Sequence, residues 1–188
     1  MLQALCVTNR LEIDVNKIIE LIQKDQFRFE LLAYVSSLDL PDCYIAAGFV
    51  RNMVWDYLHG FSPTALNDVD VIYFSNMTIN ESAVLKVLCL KFPTVNWQLK
   101  NQAFMHERNS DPLYENSIHA MSYWPEIETA IGVKLSCDGK IIVVSPFDID
   151  SIFNGFITHN PKREKSVFLS RAEEKKWLEL WPNLKIRL

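Results

Sequence analysis

Asp68 and Asp70 are separated by one residue at the start of an apolar run, VDVIYF at 69–74. Alternate side chains of a strand share a face, so the two carboxylates project to the same side. Two hard oxygen ligands in this relation suit Mg²⁺ or Mn²⁺, which phosphoryl-transfer sites hold through one or two carboxylates plus the substrate phosphates. Upstream, Gly48 joins a short apolar run to a helix. A residue without Cβ lets a phosphate approach backbone N–H groups and the positive end of a helix. Arg51 and Asn52 follow in the first turn, where a guanidinium fork can bind a triphosphate oxygen. Lys100, Asn101 and Gln102 form a second polar cluster just past another strand, a common place for substrate contacts. Capping of a following helix by Asn101 explains that residue equally well.

The order of the elements narrows the chemistry. The apolar run follows the aspartates, whereas a haloacid-dehalogenase-like phosphatase places its strand before them. An EF-hand loop is excluded because position 72 is Ile and no glycine follows. The elements that must position these residues are readable by periodicity. Residues 15–37 carry the apolar stripes of two consecutive helices, and CYIAAG at 43–48 reads as a buried strand. A helix over 49–59, closed by Gly60, separates it from the strand at 69–74. On this helix Phe49, Met53, Val54, Tyr57 and Leu58 make the apolar side, and Arg51, Trp55 and His59 recur on the other. Asn80 caps ESAVLKVLCL, and TVNWQLK supplies a further strand. Short helices are predicted around QAFMHER and IHAMSYW. IGVKLS and KIIVVS form a hairpin across Asp138-Gly139, and Ser170 with Glu173 spells a capping box for a last helix reaching Leu180. Alternating helices and strands argue for an α/β fold with a mixed sheet built from strands near 44, 70, 96, 132 and 142.

Composition sets the outer bounds. At 188 residues, 49% hydrophobic and 22% charged, the chain has the profile of an ordered domain with a substantial core. We expect one domain over 1–188, with 1–40 a helical segment packed on it. No apolar stretch approaches the roughly 18 residues of a membrane span, and the N-terminus lacks the features of a signal peptide, so a cytoplasmic location without membrane contact is expected. Cys6, Cys43, Cys89 and Cys137 show no metal-ligand spacing and read as core thiols of a reducing compartment. His106 and His119 read as structural. Trp124-Pro125 and Trp181-Pro182 read as packing anchors, with base stacking by Trp124 the lesser alternative. A formal charge of −4 argues against a long nucleic acid as partner. Lys162, Arg163, Lys165, Arg171, Lys175 and Lys176 nevertheless concentrate positive charge near the C-terminus.

GFVRN at 48–52 and DVD at 68–70 resemble the GGxVRD helix and carboxylate pair of tRNA nucleotidyltransferases and bacterial poly(A) polymerases, members of the DNA polymerase β-like superfamily. WQLKNQAFMH, SYWPEIETAIGVKL, SPFDIDSIF and RAEEKKWLELWP are similar to a bacterial family of predicted nucleotidyltransferases. The resemblance covers nearly everything after residue 40. It implies Mg²⁺-dependent transfer of a nucleoside monophosphate from an NTP to an acceptor hydroxyl, with Asp68 and Asp70 holding the metal. Gly48, Phe49, Arg51, Asn52, Lys100 and Asn101 would form the nucleotide site. Phe49 replaces the second small residue of the pattern and would narrow the space above the phosphates. The superfamily usually adds a third carboxylate from a neighbouring strand, where this chain offers Asn96, Gln98 and Lys100. Glu126, Glu128, Asp148 and Asp150 remain as substitutes. Without one, the alternative is a noncatalytic nucleotide- or partner-binding module. The acceptor and the oligomeric state are not encoded in any motif.

Overall fold

A computed structural model describes the backbone of residues 2–66 and 68–188, and side chains from residue 12 onward apart from Asn67. Two helices, α1 (Leu2–Lys24) and α2 (Gln26–Ser36), lead into β1 (Tyr44–Ala46), α3 (Gly48–His59) and β2 (Val69–Tyr73). Then come α4 (Glu81–Lys91), β3 (Trp97–Asn101), α5 (Met105–Asn109), α6 (Ser117–Met121), and the β4 (Gly132–Leu135) and β5 (Ile141–Val144) hairpin. The chain finishes with α7 (Asp150–Phe153), β6 (Phe156–Thr158), α8 (Lys165–Glu174), α9 (Trp177–Leu180) and β7 (Lys185–Arg187).

Five strands form a mixed sheet in the order β3-β2-β1-β4-β5, the fold class and the strands expected from the sequence. β2 and β3 are parallel, which requires a crossover, and α4 supplies it. The other pairs are antiparallel. Register and pleat sort the sheet into two faces. Ile45 pairs with both Val71 and Val133, and these residues join the main core with Ile18, Ile22, Leu31, Phe49 and Leu88. Tyr44, Ala46 and Ile72 lie on the opposite face in a smaller cluster with Met121 and Ala130. Asp70 pairs with Ala46, so its carboxylate belongs to this second face, away from the large core.

α2 is fixed beneath the functional helix by a buried arginine. Asp25 caps α2 by accepting the Arg28 N–H and pairs with the Arg28 guanidinium, whose Nε donates to the Phe49 carbonyl at 3.2 Å. Asn80 caps α4 as its position in the sequence predicts, accepting the Ala83 N–H.

Two expectations need correction, and the packing of α3 adds a third finding. Ser170 does not start a helix: α8 begins at Lys165, and Ser170 lies within it, donating to Glu174 at 2.7 Å. The S-x-x-E pattern sits inside a helix whose apolar residues Phe168 and Ala172 are already buried. The chain breaks at Lys176, with φ 52°, before α9 restarts. Cys89 and Cys137 are exposed, one on the outer face of α4 and one in the hairpin turn, and only Cys43 is half-buried; all three are free thiols. The Cys6 side chain lies outside the described residues. The face of α3 bearing Arg51 and Trp55 is buried: Trp55 is fully enclosed, with Trp177 and Trp181 edge-on at 5.7 and 5.2 Å. Trp55, Trp177 and Trp181 extend the main core onto this face, which α9 covers.

Candidate functional site

The turn from β1 to α3 is the sharpest feature beside the aspartates. Ala47 adopts φ 58° and ψ −124°, a conformation costly for any residue with a Cβ. Its carbonyl accepts the N–H of Val50 and Arg51, closing the first turn, and no side chain caps the helix. The positive end of α3 therefore faces a cavity of about 570 Å³. At Gly48 an added Cβ would meet the tips of Asn52 and Arg51 at 3.5–3.7 Å, ordinary contact distances. The missing methyl group leaves open space beside them.

Asp68 and Asp70 both line this cavity, as do Gly48, Arg51, Asn52 and Lys100. Asp68 Oδ1 accepts from Asn96 at 2.6 Å, and Asp70 Oδ1 pairs with Lys100 at 3.2 Å. Arg51 is 7% exposed, with Nη1 donating to Thr129 at 2.7 Å and Nε and Nη2 donating to Asn52 Oδ1. Its guanidinium stacks over Trp177 at 4.4 Å. Burial lowers its pKa to about 10, opposed mainly by the charge of Glu126, so it remains a cation at neutral pH. Arg171 and Lys175 also line it, giving four cationic side chains against two carboxylates in a chain of net charge −4. Arg171 is partly neutralised by Glu126, which is fully buried and accepts from its Nε at 2.7 Å.

Two of the predicted contact residues point elsewhere. The Phe49 side chain is fully enclosed in the main core, because helical phase turns it away from the cavity that Gly48 faces. Asn101 is consumed by local structure: Oδ1 accepts from Ser75 and Ala103, and Nδ2 donates to the Ser75 carbonyl. It caps a turn of 3₁₀-helix over Gln102–Phe104, the capping contact its position in the sequence offered.

Register places Gln98 directly beside Asp70 on the parallel neighbour strand. None of the four other acids lines the cavity. Glu126 is held by Arg171, Glu128 accepts the Thr158 N–H and hydroxyl at 2.7 Å each, Asp148 accepts from the Asp150 N–H, and Asp150 opens α7. Among the described residues no group of three His, Cys, Asp or Glu side chains is arranged to hold a metal. The aspartate pair still fits a divalent cation that completes its shell with water and phosphate oxygens, since both carboxylates face one open, polar cavity. His106 and His119 are structural, with Nδ1 atoms bonded to the Ala103 carbonyl and the Glu115 N–H.

Residues that sequence reasoning missed hold the site together. Asp56 is 3% exposed and accepts from Trp181 Nε1 at 2.8 Å and from the Thr64 N–H and hydroxyl. This one carboxylate ties α3, the loop leading to Asp68 and the C-terminal segment together. Its signal was the placement of an acid beside a tryptophan on an otherwise polar helix face.

A family model described as nucleotidyltransferase matches residues 33–186. Among solved structures, an NMR structure described as revealing a CCA-adding enzyme head domain matches with a TM-score of 0.80 and 31% identity, over 92% of this chain and 95% of that one. A CCA-adding enzyme in complex with CTP matches with a TM-score of 0.52 and 14% identity, over 88% of this chain and 47% of that one. A structure described as tRNA-processing enzyme complex 3 gives a TM-score of 0.50 and 14% identity, over 83% and 42%. The last two show the fold alone. No curated protein sequence matches. With the glycine-led helix and the aspartate pair in one cavity, and the family match over most of its length, the chain belongs to the nucleotidyltransferase family and carries the fold of a CCA-adding enzyme head domain.

Proposed function

We propose that the protein transfers a nucleoside monophosphate from a nucleoside triphosphate to an acceptor hydroxyl, releasing pyrophosphate. The observation that carries this reading is the meeting of Asp68 and Asp70 with the uncapped end of α3 in one cation-lined cavity. The triphosphate lies over the first turn of α3, where Gly48 leaves room and Arg51, Asn52, Arg171 and Lys175 meet its oxygens. Asp68 and Asp70 hold Mg²⁺ or Mn²⁺, which neutralises charge on the phosphates when bound. The acceptor oxygen forms a bond to the α-phosphorus while the bond to the bridging oxygen breaks and pyrophosphate leaves. The hydroxyl proton passes to water in the open cavity, since Gln98 has no basic group. Catalysis in such a site rests on positioning and charge stabilisation.

A second reading has its own support. Gln98 beside Asp70 and Lys100 on Asp70 suit a module that binds a nucleotide without transferring it. Titration with ATP, CTP, GTP and UTP in Mg²⁺, followed by pyrophosphate release over a panel of hydroxyl acceptors, separates the two. Turnover that disappears in Asp70→Asn, with the melting temperature unchanged, supports the transferase. Tight binding with no turnover on any acceptor supports the module.

A further inference from the structure

A second chamber of about 200 Å³ opens off the main cavity, sharing Ala47, Asp70, Lys100, Thr129 and Arg171 with it. Its inner lining differs in kind: Trp124, Pro125, Tyr114, Met105 and Ile72 are aromatic or apolar, and Gln102 and Asn109 contribute amides. Ligand pockets generally run to about 300–1,000 Å³, so this space suits a ring system and not a whole nucleotide.

The walls are held in place by buried polar contacts. Tyr114 is 3% exposed and its hydroxyl donates to Asp111, which forms a two-pronged ion pair with Arg163 at 2.6 and 2.5 Å. The Trp124 carbonyl accepts from Asn160, itself 1% exposed, at 2.7 Å. Gln102 is the telling residue. It is 4% exposed, its Nε2 donates to the Lys100 carbonyl at 3.3 Å, and its Oε1 accepts from no group among the described residues. That oxygen is not among the fully buried unpartnered atoms, so it is open to the chamber and can accept a hydrogen bond from a ligand there.

We infer that this chamber receives the nucleobase of the bound triphosphate, with Trp124 offering a stacking face and Gln102 reading the polar edge. The inference rests on the proposed transferase site. With the phosphates over Gly48, Arg51 and Lys175, Asp70 lies at the junction of the two spaces, beside the reacting phosphorus. The nucleoside beyond that phosphorus then enters the chamber. The acceptor approaches from the Asp68 and Gln98 side.

Calorimetric titration in Mg²⁺ tests this with the four nucleoside triphosphates and with inorganic tripolyphosphate, which has no base. Trp124→Leu is expected to weaken nucleotide binding about tenfold, the scale of a lost base–aromatic stack, and to leave tripolyphosphate affinity unchanged. Gln102→Leu, similar in volume, is expected to alter the rank order of the four nucleotides. Equal loss for nucleotide and tripolyphosphate in Trp124→Leu, or no loss for either, overturns the inference, as does an unaltered rank order in Gln102→Leu. If the unmodified protein binds neither ligand, the transferase reading falls and this one with it. If it binds both and the variants behave alike, only the base chamber is wrong.

Discussion

Lys100 Nζ lies 3.2 Å from Asp70 Oδ1, so a lysine occupies one of the oxygens that a divalent cation would use. The two side chains reach each other diagonally across β2 and β3, because Asp70 is paired with Gln98 and Lys100 with Ile72. Both are partly exposed, at 46% and 25%, which limits the pair to roughly 1 kcal/mol or less. A cation with triphosphate can therefore displace the lysine, which then faces the phosphates. Lys100→Met is expected to tighten Mn²⁺ binding to the nucleotide-free protein by about two- to fivefold while weakening nucleotide binding. Electron paramagnetic resonance titration with Mn²⁺ reads the first effect. Unchanged Mn²⁺ affinity would mean that lysine and cation do not compete.

Gly48 is a question of space and not of backbone conformation. A Cβ there would sit at 3.5 Å or more from its nearest neighbours, so Gly48→Ala is expected to keep the melting temperature within a degree or two. It would also slightly favour the helix, where alanine is better than glycine. The added methyl group fills the space a phosphate needs, and nucleotide affinity is expected to fall about tenfold or more. Wild-type affinity in this variant would place the triphosphate elsewhere in the cavity.

The legible part of this molecule was set by local patterns. VDVIYF and the hairpin runs carry enough β-branched residues to read as strands, and Gly60 closes α3 in the left-handed conformation its sequence announces. That Asp68 and Asp70 line one cavity was legible because backbone alternation into β2 puts residues two apart on a common side. Phe49 was not, because its role depended on whether helical phase turned it toward the cavity beside Gly48 or toward the core. Asn101 was ambiguous because capping and ligand contact draw on the same amide. The burial of Arg51 and Trp55 depends on Trp177 and Trp181, and no local periodicity reports a contact as distant as Asp56 with Trp181. β6 and β7 pair only with each other outside the main sheet, and neither sits in an apolar run of the kind that marks β1 and β2.

Ala47 precedes that glycine and bears the conformational cost of the turn. At φ 58° and ψ −124° an alanine is held at an expense of about 1–3 kcal/mol. Replacement by glycine relieves this but adds about 0.4–1 kcal/mol of unfolded-state entropy. Ala47→Gly is expected to raise stability by about 0.5–2 kcal/mol, read as a higher urea midpoint with the same slope. A lower midpoint would show that the packing of the Ala47 methyl group outweighs the strain.

Glu128 supplies the pH dependence. It is 1% exposed, and burial pushes its carboxyl above the ordinary value of 4.5, against the pull of the two bonds from Thr158. A carboxyl with a raised folded-state pKa binds its proton more readily in the native than in the unfolded chain. Its contribution to stability is therefore greatest below 4.5 and declines as pH rises through the folded-state value. Glutamine removes the charge and keeps both contacts: its carbonyl accepts the Thr158 N–H, and its amide donates to the Thr158 hydroxyl. Glu128→Gln is thus expected to gain stability relative to the parent protein as pH increases from about 4 to 7. Urea midpoints for both proteins across that range check the sign. A difference independent of pH would mean that Glu128 titrates alike folded and unfolded, and a difference that shrinks with rising pH would mean that the Thr158 bonds outweigh burial.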